Sequence, residues 1–186
     1  LKGGAWGLTF ATIFQLAVGV EAGARRAIIA NQVVAPADLD GLDALLTQHA
    51  DLRVWFLVDS ISQLRCIEDW SRARNSARRF EVLIEVGIPG QRTGVRSQED
   101  ALALAQAIHA SRSVQLGGIE CYEGGLTQCD SAHDIPAVAE LVRRVVEIAK
   151  ACDAQGLLPE EAPILSAGGS AIFDLVVPLL QGAGLS

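Results

Sequence analysis

The sequence predicts an α/β fold, a TIM-type (β/α)8 barrel of which about six of the eight units are visible. Strand-like runs alternate with amphipathic helical stretches along all 186 residues, which is typical of a parallel α/β architecture. No dinucleotide-type glycine fingerprint follows the first run, and this favours a barrel over an open doubly wound sheet. A closed barrel needs about 200 residues or more, so we expect residues 1–186 to be an incomplete barrel domain of a longer protein.

Six runs are predicted to form strands because most are apolar through the middle, as strands covered on both faces are. They are residues 7–12, 26–34, 53–60, 81–88, 114–122 and 164–166. The helices predicted between them carry apolar residues at three-to-four spacing. They are residues 13–22, 36–48, 61–77, 98–110 and 135–154, with another apolar stretch at 171–180. Ser97 and Asp134 are expected to cap the helices that follow them.

Composition and charge exclude several classes of partner. Half of the residues are hydrophobic, which is ample for a core, and the net charge of -7 argues against nucleic-acid binding. No apolar run approaches the roughly 18 to 20 residues of a membrane span. The four cysteines lack Cys-x-x-Cys spacing and no secretory leader precedes them, so we expect a cytoplasmic protein. Cys121 and Cys129 could share a metal, but zinc sites usually have shorter ligand spacings, and no metal site is predicted.

Polar residues follow the predicted strands, at the end where barrel enzymes place their chemistry. They are Thr9, Thr12, Asn31, Gln32, Asp59, Ser60, residues 87–92, Tyr122, Glu123, Ser166 and residues 168–170. For Thr12, Asn31, Asp59 or Ser60 taken singly, a loop residue or helix cap is the simpler interpretation. Six polar strand exits at one mouth nevertheless favour a binding site there.

Two motifs at this mouth suggest anion binding. The turn Pro89-Gly90-Gln91-Arg92-Thr93-Gly94 would hold the Arg92 guanidinium near an anionic oxygen, although a surface salt bridge is the alternative. We expect the mid-strand Glu85 to be buried, with Arg92 as a candidate partner. The turn Ser166-Ala-Gly-Gly-Ser170 would bare backbone N–H groups at a helix N-terminus, where phosphate binds; a plain turn capped by Ser170 is the alternative.

Tyr122 and the histidines complete the candidate residues. Tyr122 is the only tyrosine, and at a strand exit it is either a hydrogen-bonding or proton-transfer group or a packing side chain. His49, His109 and His133 lie in or next to predicted helices and are assigned no role.

Several motifs, in this order and spacing, resemble the alanine racemase-like barrel domain of the fold-type III pyridoxal-phosphate (PLP) enzymes. The resemblance is to the branch of D-serine dehydratases, D-threonine aldolases and related D-amino acid deaminases. The motifs are Gly3-Gly-Ala-Trp-Gly-Leu-Thr-Phe-Ala-Thr12, Ile28-Ile-Ala-Asn-Gln-Val-Val34, Val58-Asp-Ser60, Ile84-Glu-Val-Gly-Ile-Pro-Gly-Gln-Arg-Thr-Gly-Val95, Glu120-Cys-Tyr-Glu-Gly124 and Ser166-Ala-Gly-Gly-Ser170.

The resemblance implies PLP as cofactor and assigns roles to several residues. Arg92 would contact the cofactor ring oxygen or its surroundings, and Tyr122 would lie beside cofactor or substrate; both are the catalytic candidates. Gly168, Gly169 and Ser170 would hold the phosphate. Further candidates for cofactor binding are Asn31, Asp59, Ser60 and Ser166.

Other parts of such an enzyme are expected outside this sequence. The only lysines, Lys2 and Lys150, do not match the family's cofactor-bonding lysine, which we expect upstream of Leu1. In the family, a β domain follows the barrel, each active site of the homodimer is completed by the partner, and several members bind a divalent metal through that β domain.

The resemblance implies a PLP-dependent lyase, an ammonia-lyase or deaminase acting on D-3-hydroxy amino acids such as D-serine or D-threonine. Aldolase members tend to have a histidine shortly after the tyrosine and glycine, where this chain has Gly125, and this favours dehydration over retro-aldol cleavage. The alternatives are a D-threonine aldolase, a non-catalytic PLP-binding barrel protein, or a barrel enzyme for another phosphorylated substrate.

Overall fold

A computed structural model describes residues 3–128, 130–160, 162–169 and 172–182. It contains six strands and six α-helices in alternation. The strands are β1 (Leu8–Phe10), β2 (Arg26–Gln32), β3 (Arg53–Val58), β4 (Phe80–Val86), β5 (Val114–Cys121) and β6 (Ile164–Ala167). The helices are α1 (Ile13–Glu21), α2 (Pro36–Gln48), α3 (Ile61–Arg74), α4 (Gln98–Ala110), α5 (Ser131–Asp153) and α6 (Phe173–Gln181). A short 3-10 helix, Gly124–Leu126, follows β5.

The six strands form one parallel sheet in sequence order, β1 to β6. Each strand pairs with the next one along the chain, and a helix forms every crossover. This is the winding of a β/α barrel. The predicted α/β fold with six parallel units is confirmed as a half-barrel; closure by two further units stays a prediction.

Alternation along the strands separates the two faces of the sheet. One face packs against the helices, and its core includes Phe56 and Ile84 from the strands and Leu104 from α4, all buried. Burial of one such side chain contributes roughly 1.5–3 kcal/mol. The concave face carries a separate apolar cluster around Trp55 and Leu83. Glu85 lies on the same face as Leu83, two residues nearer the carboxyl end of β4, and pairs in register with Glu120 of β5. The mouth of the half-barrel is therefore polar.

Among the elements whose ends differ from the predicted positions, three show a clear local cause. Strand β1 is shorter than residues 7–12 because Thr12 caps α1, its hydroxyl accepting from the N–H of Gln15. Helix α3 ends at Arg74 because Asn75 adopts a left-handed conformation, φ 49°. Helix α5 begins at Ser131 with Asp130 as its cap, so the predicted cap Asp134 is wrong. The cap of α4 at Ser97 is confirmed, because its hydroxyl accepts from the N–H of Asp100.

Among the described ranges, no helix combines the length and the apolar character that crossing a membrane requires.

Candidate active site

The loop that carries Arg92 is tightly held between β4 and α4. Val95 donates to the carbonyl of Glu85 at 2.8 Å, and Gly87 donates to the carbonyl of Val95 at 2.9 Å. The guanidinium of Arg96 donates to the carbonyl of Thr93 at 2.7 Å. Gly94 has φ 97°, and a Cβ there would lie 2.3 Å from the backbone nitrogen of Gly87. The turn therefore needs glycine at position 94 and presents Arg92 in a fixed place.

Arg92 and Tyr122 come together at the mouth. The central guanidinium carbon of Arg92 lies 5.2 Å from the centroid of the Tyr122 ring, within the range of a cation–π contact. Tyr122 is 39% exposed, and Arg92 forms no salt bridge with any residue that the structure describes. Both side chains therefore remain open to a ligand.

Glu85 is buried, as predicted, but its expected partner is wrong. Its carboxylate accepts from the Gln32 side-chain amide at 2.5 Å and from the Thr93 hydroxyl at 2.7 Å. Arg92 is not available because its guanidinium lies over the Tyr122 ring. Two neutral donors thus satisfy this carboxylate in place of a cation.

Asp59 links the end of β3 to the arginine turn. Its Oδ2 accepts from the backbone N–H of Gly94 at 3.0 Å and from the Gln32 amide at 3.3 Å. Gln32 therefore bridges Asp59 and Glu85. This network fixes the exits of β2, β3 and β4 relative to one another.

Asn31 and Ser60 make local contacts. Asn31 donates to the carbonyl of Ala11 at 2.9 Å, and the Ser60 hydroxyl accepts from the N–H of Gln63, capping α3. These bonds match the simpler interpretation as loop residue and helix cap. A cofactor contact from either residue stays a prediction.

The glycine turn after β6 binds a carboxylate. The N–H of Gly169 donates to Oε1 of Glu123 at 2.6 Å, and the N–H of Gly168 donates to Oε2 at 3.2 Å. Glu123 is fully buried. The sequence had suggested that these N–H groups lie at the N-terminus of a helix. Helix α6 begins only at Phe173, so both groups belong to the connection before it.

The same turn fits a phosphate group by its chemistry. Adjacent backbone N–H groups that bind one oxyanion form the concave donor site that phosphate uses elsewhere, and the Glu123 carboxylate stands in for that anion. Ser170 lies outside the described residues, and Ser166 is half-buried on β6, beside Glu120 in register.

Among the described acids at the mouth, Glu120 has the most strongly shifted pKa. It is 4% exposed, and its Oε2 has no hydrogen-bond partner among the residues that the structure describes. Burial, together with the nearby charges of Glu85 and Glu123, raises the pKa of Glu120 to about 8, although Arg92 opposes the shift. The carboxyl group therefore carries a proton at neutral pH.

The sequence placed Gln32 and Glu123 at strand exits but predicted no role for them. Glu120 and Thr93 were not predicted to belong to the site. The alternation of β5 offered a signal for Glu120, because Ile119 and Cys121 belong to the helix-facing core and the residue between them must face the barrel interior. Cys121 is buried and Cys129 lies outside the described residues, so their pairing on a metal is not tested.

Two cavities lie at opposite ends of the sheet. A small one of about 40 Å³ at the mouth is lined by Glu85, Arg92, Thr93 and Tyr122, among others. A cleft of about 950 Å³ opens at the amino-terminal end, where Arg26 and Arg53 begin their strands. We place the candidate site at the mouth, because ligands of β/α barrels bind at the carboxyl ends of the strands.

Comparisons with known proteins agree with the half-barrel fold. The sequence model of the alanine racemase N-terminal domain matches residues 1–177. The chain superposes on the crystal structure of D-threonine aldolase from Filomicrobium marinum with a TM-score of 0.77 at 22% identity, covering 98% of this chain and 46% of that one. This likeness shows the fold.

Two curated relatives are similar over nearly the whole chain. The chain is 30% identical over 170 residues to the D-threo-3-hydroxyaspartate dehydratase of Delftia sp. (strain HT23), covering 90% of this chain and 42% of that protein. It is 25% identical over 172 residues to the 3-hydroxy-D-aspartate aldolase of Paracoccus denitrificans (strain Pd 1222), covering 92% of this chain and 43% of that protein. The chain thus spans less than half the length of either relative. The family match over residues 1–177, with which the half-barrel fold agrees, shows that the chain belongs to the alanine racemase N-terminal domain family, within the fold-type III PLP proteins.

Proposed function

We propose that this protein is a PLP-dependent lyase that acts on D-3-hydroxy amino acids and removes water from them. One observation carries the proposal: Arg92, Tyr122 and the oxyanion-binding turn of Gly168 and Gly169 meet at the carboxyl ends of the strands. The two curated relatives, named as a dehydratase and an aldolase of 3-hydroxyaspartate, support the substrate class.

The described residues supply anion-binding groups for such a cofactor. The N–H groups of Gly168 and Gly169 would hold the phosphate, and the Arg92 guanidinium, with no salt bridge to a described residue, would bind an anionic oxygen near the Tyr122 ring. When bound, PLP supplies an electron sink that labilises the bonds at the substrate Cα.

The amine that bonds the cofactor is proposed to come from a lysine upstream of Leu1. Lys150 lies in α5, within the helical layer, and Lys2 lies outside the described residues. Borohydride reduction of the full-length protein with PLP, followed by peptide mapping, locates the modified lysine. A label on Lys2 or Lys150 would contradict this assignment.

Glu120 favours dehydration over retro-aldol cleavage. Dehydration breaks the Cβ–O bond, and the hydroxyl must gain a proton to leave as water, whereas retro-aldol cleavage requires that the hydroxyl lose its proton. A carboxyl group that holds a proton at neutral pH suits the first reaction. Gly125, at the position where aldolase members tend to have a histidine, agrees with this choice.

The remaining features of the proposal come from the family resemblance. We propose a cytoplasmic homodimer whose partner subunit completes each site, and a divalent metal, if used, bound by residues outside this sequence. The substrate is a small D-amino acid, with D-serine and D-threonine as the first candidates.

Product analysis tests the reaction. Purified full-length protein is incubated with PLP and D-threonine, with L-threonine as the stereochemical control, and the products are separated. We expect 2-oxobutyrate and ammonia from the D-isomer alone. Glycine with acetaldehyde would show an aldolase, and PLP binding without consumption of any D-3-hydroxy amino acid would show a non-catalytic binding protein.

A further inference from the structure

The glycine turn at the mouth binds the carboxylate of Glu123 with both of its described donors. Gly169 donates to one oxygen at 2.6 Å and Gly168 donates to the other at 3.2 Å. A Cβ on Gly169 would lie 2.2 Å from Oε1 of Glu123, so the carboxylate sits directly against the turn. An anion is therefore already present where a phosphate would bind.

The same N–H groups cannot serve two anions well. Each backbone N–H carries one hydrogen, so an oxygen of an incoming phosphate competes with Glu123 for it. A phosphate at contact distance from the Glu123 carboxylate would also be repelled by it, because this fully buried carboxylate is little screened by solvent. The carboxylate and the phosphate thus exclude one another.

No cation of the described ranges forms an ion pair with Glu123. Its hydrogen-bond donors in the described structure are the two backbone N–H groups. The neighbouring Glu120, whose pKa is raised in part by the charge of Glu123, is also an acid and offers no positive charge. Displacement by a phosphate therefore breaks two hydrogen bonds to neutral donors and no salt bridge with a described residue.

We propose that Glu123 is the residue that sets the affinity of this turn for phosphate, because its carboxylate is a built-in competitor that must leave before a phosphate-bearing ligand binds. This inference deepens the proposed function, since it concerns the same mouth. Tyr122 precedes Glu123 directly, and a Cβ on Gly124 would lie 2.5 Å from the Tyr122 hydroxyl.

The test compares phosphate affinity with stability in the full-length apoprotein. Inorganic phosphate is titrated by calorimetry into the wild type, Glu123→Ala, Glu123→Gln and the control Glu21→Gln, whose exposed carboxylate ends α1. Glu123→Ala should bind phosphate roughly tenfold or more tightly than the wild type, as expected for removal of a competitor that makes charge-assisted hydrogen bonds. Its melting temperature without phosphate should fall, because the N–H of Gly169 loses its acceptor and the N–H of Gly168 keeps only the Cys121 carbonyl, at 3.2 Å.

Glu123→Gln keeps one acceptor oxygen but lacks the charge, so its phosphate affinity should lie between those of the wild type and Glu123→Ala. If the alanine variant does not fold, the glutamine variant takes its place in the comparison. The control should leave both quantities unchanged. Unchanged or weaker phosphate binding in the Glu123 variants, or no phosphate binding in any form, would overturn the inference. Because inorganic phosphate is the probe, the result stands apart from the proposed function, which fails separately if the wild type neither binds PLP nor consumes a D-3-hydroxy amino acid.

Discussion

The guanidinium of Arg92 lies over the ring of Tyr122, with its central carbon 5.2 Å from the ring centroid. The two residues follow adjacent strands, β4 and β5, and the parallel pairing of those strands brings their exits together. The contact orients a permanently charged group at the mouth without neutralising it. Its role in anion binding is open to direct tests.

Replacing Arg92 by lysine should weaken PLP binding by about tenfold, because lysine offers a point charge without the planar fork and stacks less well on tyrosine. The melting temperature should hardly change, since Arg92 is exposed. Spectral titration with PLP measures the affinity. Arg72→Lys, at an exposed surface pair with Asp69, is the matched control, and equal affinities in the two variants would remove Arg92 from the site.

Replacing Gly169 by valine should reduce PLP retention much more than stability. The added side chain would cover the N–H groups of the turn, while the contact of its Cβ with Glu123 involves the end of a flexible side chain that can move. Cofactor absorbance and thermal melting are measured on the same samples. Gly3→Val, where a Cβ meets nothing within 4 Å, is the control; parallel losses of retention and stability in Gly169→Val would show a structural turn only.

Glu120 should make the protein less stable as pH rises. Between its ordinary pKa, 4.5, and about 8, the unfolded chain has lost this proton while the folded protein keeps it. The folded state therefore binds more protons, and the free energy of unfolding falls with pH, by up to about 1.4 kcal/mol per pH unit. Glu120→Gln should flatten this slope. Urea unfolding at several pH values across this range checks it, and identical slopes in wild type and variant would show that Glu120 ionises freely.

Replacing Gly94 by alanine should destabilise the protein more than replacing Gly90 by alanine. Both glycines have positive φ, 97° and 78°, so alanine is strained at either position by about 1 kcal/mol. Only at Gly94 would the new Cβ also meet backbone, 2.3 Å from the nitrogen of Gly87. Urea unfolding of the two variants measures the difference, and equal costs would show that the loop yields.

The fold was predictable because it depends on local patterns. Apolar runs and three-to-four spacing located all six strands and the helices between them. The errors fall at the ends of elements, where a single capping residue such as Thr12, Asn75 or Asp130 sets the boundary. The partners of buried acids were not predictable in this way. Gln32 and Glu85 are 53 residues apart, and Glu123 and Gly169 are 46 apart, so their contacts depend on strand register and loop path.

On this interpretation, the mouth of the half-barrel binds a cofactor through its phosphate. Titration of the full-length apoprotein with PLP, and in parallel with pyridoxal, tests it most directly, because the two ligands differ only in the phosphate. We predict a saturating change in absorbance with PLP and an affinity for pyridoxal lower by about tenfold or more. Equal affinity for the two ligands, or no binding of PLP, would show that the mouth does not hold the cofactor by its phosphate.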